Sequence, residues 1–482
     1  MKTKTMKTKK LLIIFLSFVV TTLFSQRDKN ESDPDFANAF KKYENKDYAG
    51  SYVDYTTYLY KKPKDAAAIY NRGLCAYELK DYKDGIVNFS NSINLGRKKA
   101  DAYYSRGLCN YKLFNYTLAI ADFDTAISLK SNYSKALTYK GASLNELFKY
   151  TEALDVLNQA VNADENYENA YFYRGITKYY LKDFEGGLTD CNKALSIQSY
   201  YETYFWRGLN YLNLKRYQES ITDYDTVIAH DPKYAKAYYN RAISYYDLKN
   251  YEKSLSDNNK SIELDPSKPE AYYNRGLAKY ELGKYKDAEP DFNAAIDLKL
   301  NQAKHYTQRG INYYYSGKYS QAISDFNTAL LKDSKYENAY YYRALAKYYQ
   351  EDDKGVIEDC TSALAINKSS DTYYQRGISK YNLKDYTGAI DDFNESLKLK
   401  PDYKLAVLER GIAYYQTEKD ALALADLNKA IELNPKSSRG FYYRGKLKKY
   451  MNDLTGSCAD LKQAQSLGEE AAIDELVKNG CK

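Results

Sequence analysis

The stretch Ala271–Lys299, AYYNRGLAKYELGKYKDAEPDFNAAIDLK, decides the fold, because variants of it recur from near Ser32 to near Leu467. An Arg-Gly or Trp-Arg-Gly centre with Tyr or Phe nine residues after the Gly stands at Gly73, Gly107, Gly175, Gly208, Gly276, Gly310 and Gly377. Numbering that Gly as position 8, the equivalent residues are Ala39, Gly73, Gly107, Gly141, Gly175, Gly208, Ala242, Gly276, Gly310, Ala344, Gly377, Gly411 and Gly445, or thirteen repeats. The spacing is 34 residues except for 33 at Gly175–Gly208 and Ala344–Gly377. A fixed period of this length is the mark of a solenoid.

Each repeat has the pattern of two short helices. Tyr272, Arg275, Gly276, Lys279 and Tyr280 follow helical spacing, as do Ala288, Phe292, Ala295 and Ile296. Leu282-Gly283-Lys284-Tyr285 between them forms the turn. Small residues at Gly276, Ala288 and Ala295 mark close helix approach, where an added side chain would overpack the contact. Pro63, Pro232, Pro266, Pro401 and Pro435 share position 32, where Pro stops a helix. Pro290, inside a second helix, predicts a local bend. One such hairpin buries too little to offset its ordering entropy, so neighbours must stack to supply the core.

This pattern resembles the tetratricopeptide (TPR) family: a small residue at 8, Ala near 20 and 27, an aromatic near 24, Pro at 32. The resemblance covers about nine-tenths of the chain. The pentatricopeptide family, with nearly the same period, fits the small-residue and Pro positions less well. Departures are the Arg at position 7, where the family commonly has Leu, and Gly at position 20 in two repeats, Gly85 and Gly187. The resemblance implies an all-α, right-handed superhelical solenoid of about thirteen hairpins over residues 32–468. It also implies a non-catalytic role in protein–protein interaction.

Residues 1–26 stand outside the repeats. Lys2, Lys4, Lys7, Lys9 and Lys10 precede an apolar run, Leu11 to Phe24, and Ser25. This is the layout of a cleavable signal peptide, and the run is shorter than the ~20 residues of a membrane span. The expected product is exported, to the periplasm, the cell envelope or the medium, with no stable membrane span after cleavage. The whole chain has 71 Lys+Arg against 64 Asp+Glu, a net charge of +7. Removing five leader lysines leaves 66 against 64, so the mature charge gives no nucleic-acid footprint. Residues 27–31 form a polar lead-in, and 469–482 a C-terminal capping helix and tail. In that helix Ala472, Ile473, Leu476 and Val477 are expected to cover the end of the last repeat.

Position 7 is Arg and position 23 Asp together in ten repeats, among them Arg106/Asp122, Arg174/Asp190, Arg275/Asp291 and Arg376/Asp392. This predicts an ion pair between the helices of a repeat, or with the Asp of the preceding one, that fixes register more than it adds stability. The fourth repeat has lost both (Lys140, Val156), and its recurrent tyrosines become Thr138 and Asn145: a groove interruption or plain drift.

Cys75 and Cys109 occupy equivalent points of adjacent repeats, roughly 10 Å apart by helix packing, which is too far for a disulfide. Cys191 and Cys360 replace a core aromatic at position 24. Cys458 and Cys481 flank the last hairpin and the capping helix, whose antiparallel packing would join them in a disulfide; two free thiols are the alternative. His230 and His305, the only histidines, lie at different repeat positions, so no His-based metal site or triad is suggested. No phosphate loop or nucleophile elbow occurs, so no catalytic residue, metal or cofactor is expected.

What remains is surface. In TPR-like stacks positions 2, 5, 9 and 12 of the first helix line a concave groove. Here positions 5 and 12 are mostly Tyr: Tyr70 and Tyr77, Tyr104 and Tyr111, Tyr239 and Tyr246, Tyr273 and Tyr280, Tyr341 and Tyr348, Tyr374 and Tyr381. Tyrosine offers rigid apolar area and a hydroxyl at low entropic cost. With 58 tyrosines, however, many fill inter-helix space, as those at positions 4 and 17 do. The favoured partner is an extended peptide or protein segment, with a cell-wall or other glycan as the alternative and nucleic acid disfavoured. Lys135, Lys236, Glu270, Lys304 and Asp371 at position 2 would supply charge selectivity.

Overall fold

The computed structural model describes residues 33–481, whose regular elements are 27 helices. They form two compact units, the first ending at Ala237 and the second starting at Tyr238. The first holds six helix pairs, from Pro34–Glu44 with Tyr48–Lys61 to Tyr201–Asn213 with Tyr217–His230. Helix Ala235–Asp247 crosses the division, and the second unit runs on to Ser438–Tyr450, Leu454–Ser466 and a last helix, Ala471–Lys478. Within each unit, the first helix of a repeat (helix A) packs on the second (helix B), and helix B on helix A of the next repeat. The leader expected over residues 1–26 lies outside the described residues.

The turns explain where each helix A stops. Position 15 has a positive φ of 55° to 73° in every repeat, yet only Gly283 and Gly317 are glycine there. The left-handed residue closes the helix end at a strain of ~1 kcal/mol for a non-glycine. The N-cap of helix B is the next residue. There Asp47, Asp81, Asp183, Asp352, Asp385 and Asp453 cap it by accepting a backbone N–H three residues on. Helix Tyr285–Asp297 continues through Pro290 without a break.

Position 8 is small because position 24 is large. A Cβ on Gly276 would meet Phe292 Cε1 at 2.8 Å, and Gly107, Gly310 and Gly377 would meet Phe123, Phe326 and Phe393 at 2.7 Å. Position 8 carries a methyl three times: position 24 is the smaller Asn258 with Ala242 and Cys360 with Ala344, while Ala39 keeps the ring of Tyr55. The two glycines at position 20 obey the same rule, because a Cβ on Gly85 would lie 2.9 Å from Cys109 Sγ and one on Gly187 2.6 Å from Asn210 Oδ1.

The ten Arg–Asp pairs form inside their own repeats, with shortest N–O distances of 2.5 to 2.7 Å. The alternative partner, the preceding repeat's Asp, is not used. The second arm of the guanidinium instead reaches position 25 of the preceding repeat: Arg174 to Asn158, Arg275 to Asn259, Arg309 to Asn293, Arg410 to Asn394 and Arg444 to Asn428, at 2.7 to 3.0 Å. A lysine at position 11 adds a second cation to the same carboxylate, as Lys279 does to Asp291 at 2.8 Å. The fourth repeat keeps only the outward arm, from Lys140 to Asp124 at 2.6 Å.

The last helix covers the final hairpin through Ala472 and Leu476, which pack with Leu461 and Ala464. The expectation that all four apolar residues cover that face is corrected: Ile473 is 46% exposed and Val477 77% exposed. Eight residues make little more than two turns, and only positions 472 and 476, one helical turn apart, face the hairpin. Cys458 and Cys481 are joined in a disulfide with Cα atoms 5.6 Å apart, and Asn479 donates to Ser457 Oγ beside it. Cys75, Cys109, Cys191 and Cys360 are free and buried.

Two stability effects follow. Gly276→Ala should lower the urea midpoint by an equivalent of ~1–3 kcal/mol, and Phe292→Leu in the same chain should recover part of that loss. Asp291→Ala removes the acceptor shared by Arg275 and Lys279 and should destabilise by ~3 kcal/mol. Arg275→Met combined with Asp291→Leu should lose less than Asp291→Ala alone; an equal or larger loss would mean that the pair itself holds the hairpin.

Candidate functional site

Helix A presents two recurrent ring contacts. At position 5 the tyrosine packs on the position-24 aromatic of helix B: Tyr70 on Phe89 at 5.4 Å, Tyr104 on Phe123 at 6.0 Å, Tyr273 on Phe292 at 5.8 Å and Tyr374 on Phe393 at 6.1 Å. At position 12 it packs on the position-17 tyrosine after the turn: Tyr77 on Tyr82, Tyr111 on Tyr116, Tyr246 on Tyr251, Tyr280 on Tyr285 and Tyr381 on Tyr386, at 5.2 to 5.6 Å. Both contacts hold the hairpin together, whatever else the rings do.

The two units differ in what this leaves open. In the first, Tyr70 is 2% exposed and Tyr104 0%, which corrects the reading of these two as groove surface. Arg97 covers Tyr70, its guanidinium 4.2 Å from the ring centroid, and Tyr133 packs on Tyr104 at 5.1 Å. Tyr77 and Tyr111 are half-buried, and Tyr111 meets Tyr139 at 5.6 Å.

The fourth repeat makes sense here. Thr138 and Asn145 are buried, and Tyr139, one place later, packs within 6.3 Å of Tyr104, Tyr111, Phe123 and Tyr173. Asn145 accepts from Thr177 Oγ1 at 3.0 Å. The ring has moved from position 5 to position 6, and small residues make room for it. That segment is filled by the chain's own side chains.

In the second unit Tyr239, Tyr246, Tyr273, Tyr280, Tyr341, Tyr348, Tyr374 and Tyr381 are all half-buried. Tyr246 donates to Glu281 at 3.1 Å, and Gln416 donates to the Tyr381 hydroxyl at 3.3 Å. Burial raises the phenol pKa of both Tyr239 and Tyr381 to about 12, so they are neutral donors and acceptors near neutral pH. Glu270, Lys304 and Asp371 at position 2 are exposed beside them. In the first unit Lys135 is half-buried, and burial lowers its pKa; Lys236 is exposed.

Chemically, this arrangement can bind. His305 is buried, accepts a backbone N–H from Gln302 on Nδ1 and stands edge-on to Tyr273 at 5.0 Å; burial lowers its pKa. His230 stacks on Tyr201 at 4.2 Å. Burial pushes the Cys75 thiol up to about 11 and those of Cys191 and Cys360 to about 12, so they stay protonated. Among the described residues no His/Cys/Asp/Glu cluster is arranged to hold a metal ion, and no helix is long and apolar enough to cross a membrane.

Two features escaped the sequence reading. The position-25 acceptor was visible as a recurrent Asn, Ser or Thr. Tyrosine stands at position 13 four times; Tyr180, Tyr315 and Tyr349 were visible as Tyr-Tyr dipeptides at the end of helix A, and Tyr450 follows a lysine.

Tetratricopeptide repeat family models match residues 100–133, 208–283, 269–301, 307–353, 370–403 and 406–437, together about half of the chain. The chain belongs to the tetratricopeptide repeat family. Similar solved structures include a chain of the APC/C hetero-tetramer Cut9–Hcn1, at 14% identity over 92% of this chain and 95% of that one, TM-score 0.40. A tetratricopeptide repeat protein from Parabacteroides merdae matches at 21% identity over 52% and 98%, TM-score 0.39. The C-terminal part of a TPR repeat-containing protein from Cytophaga hutchinsonii matches at 22% identity over 49% and 99%, TM-score 0.42. No curated protein matches.

Proposed function

We propose that the protein is an exported, non-catalytic scaffold that binds an extended protein segment along the helix-A face of its second unit. The observation that carries this is the row of half-buried tyrosines there, flanked by exposed charges of alternating sign at Glu270, Lys304 and Asp371. Half-buried rings are held in place before a ligand arrives, so little side-chain entropy is lost on binding. The flanking charges give a partner its register along the row. The first unit, with Tyr70 and Tyr104 covered and only Tyr77 and Tyr111 half-open, offers less of such a row. Glycan binding through the same tyrosines has less support, because Tyr273 and Tyr374 stand against neighbouring rings instead of presenting open faces.

Export is supported by the basic and apolar leader sequence and by the Cys458–Cys481 pairing, which needs an oxidising compartment. Export and binding are tested separately. For export, N-terminal sequencing of the mature protein should begin near Arg27. Thiol labelling after denaturation should find four free cysteines before reduction and six after; six before reduction would count against an oxidising compartment. For binding, affinity capture from the cell envelope should compare the native chain with one carrying Glu270→Lys, Lys304→Glu and Asp371→Lys. These residues are exposed, so the fold should be unaffected by circular dichroism. A partner retained about tenfold less by the variant is expected; equal retention would remove the face from the reading.

A further inference from the structure

Three tyrosine pairs join position 17 of one repeat face to face with position 13 of the next. Tyr150 lies on Tyr180 in the first unit, at 4.7 Å and 11°. In the second unit Tyr285 lies on Tyr315, at 5.4 Å and 20°, and Tyr319 on Tyr349, at 4.8 Å and 4°. The position-13 ring is the open member of each pair: Tyr180 is 46% exposed, Tyr315 47% and Tyr349 57%. The hairpin does not need an aromatic there, because position 13 is polar in nine repeats, among them Glu78, Lys112, Asn213, Asp247, Glu281 and Gln416. Position 13 is tyrosine a fourth time at Tyr450, 64% exposed, so the stacked pair and not the exposed ring alone sets Tyr180, Tyr315 and Tyr349 apart.

Tyr314 connects the two pairs of the second unit. Its ring lies 5.2 Å from Tyr315, 5.9 Å from Tyr319 and 5.8 Å from Tyr349. Along the turns of repeats eight to ten, two aromatic ridges therefore flank an aromatic floor. The turns along it carry Gly283, Ser316 and Gly317 together with charges of both signs: Glu281, Lys284, Glu351 and Asp352 are exposed, and Lys318 is bound to Glu289 at 2.7 Å.

We propose that this strip, with Tyr315 and Tyr349 as its outer rings, binds a proline-rich segment in the polyproline II conformation. The proposal rests on the protein-binding reading above and names the partner's chemistry. A polyproline II helix advances ~9.3 Å per three-residue turn, close to the roughly 10 Å that helix packing sets between equivalent points of adjacent repeats. Prolines at every third residue then meet successive ridges, each setting its flat C–H face against a ring. Such a segment is already ordered and has no internal hydrogen bonds, so it suits an aromatic-lined surface that offers few polar groups.

The test is calorimetric titration of the full chain with a polyproline peptide of about twelve residues, roughly 37 Å long, with a Gly/Ser peptide of equal length as control. Saturable binding of polyproline alone is expected. Tyr315→Ala and Tyr349→Ala should each weaken it about tenfold, Tyr349→Phe should retain it, and Tyr180→Ala, in the isolated first-unit pair, should leave it unchanged. Circular dichroism checks that each variant is folded. The proposal is overturned if polyproline does not bind at millimolar concentration, or binds the Tyr315→Ala and Tyr349→Ala variants as well as the native chain. It is also overturned if oligosaccharides, and not polyproline, bind in a Tyr349-dependent way. Absent polyproline binding with the charge-dependent capture intact overturns this assignment and leaves the scaffold reading standing; the loss of both overturns both.

Discussion

A carboxylate placed between two helices has to be neutralised where it stands, and the packing follows from how that is done. Asp291 is almost wholly buried between the helices of its repeat, where an unpaired charge would be very unfavourable. Arg275 meets it with one edge of the guanidinium and reaches Asn259 of the preceding repeat with the other, while Lys279 supplies a second cation. Because the guanidinium is planar and its donors are fixed, satisfying both partners at once sets the offset between one hairpin and the one before it. A lysine can serve only as a point charge, and in the fourth repeat Lys140 keeps the contact to the preceding repeat and gives up the one within its own. The pair is therefore better understood as a register device than as a large source of stability.

The exchange of volume between positions 8 and 24 works alongside it. Gly276 lets the Phe292 ring lie against the helix-A backbone, and where Ala344 stands at position 8 the smaller Cys360 takes the place of that ring. Electrostatic register and steric fit thus sit at adjacent positions on both helices, 7 with 8 and 23 with 24. A one-residue slip would lose both together, which explains why 34-residue units tolerate so much variation elsewhere.

Much of this was legible in the sequence. The period, the two helices, the small residue at 8 and the Arg–Asp correlation all follow from recurrence, since thirteen near-copies average away local noise. The turns were less legible, because eleven of the thirteen left-handed residues at position 15 are not glycine. Their conformation is imposed by the helices on either side. The terminal helix was legible as an amphipathic segment, but Ile473 and Val477 look as apolar in sequence as Ala472 and Leu476 do, and only the direction of approach separates them.

The candidate site was least legible, and the reason is physical. Tyrosine is chosen both for filling space between helices and for meeting a ligand, since a large rigid ring with one hydroxyl suits each task. Tyr104 and Tyr273 occupy the same position with the same ring contact below, yet one is wholly covered and the other half-open. What covers Tyr104 is Tyr133, with Tyr139 of the fourth repeat beside it, so exposure at one position is set by residues in its neighbour. A position-by-position reading has no access to that. The more informative signal is a residue that the fold permits without requiring, as with Tyr315 and Tyr349 at a position that is polar in nine of the thirteen repeats. In a repeat protein the chain itself supplies the comparison: twelve other copies show what packing demands, and the departures from that pattern mark where something other than packing has a say.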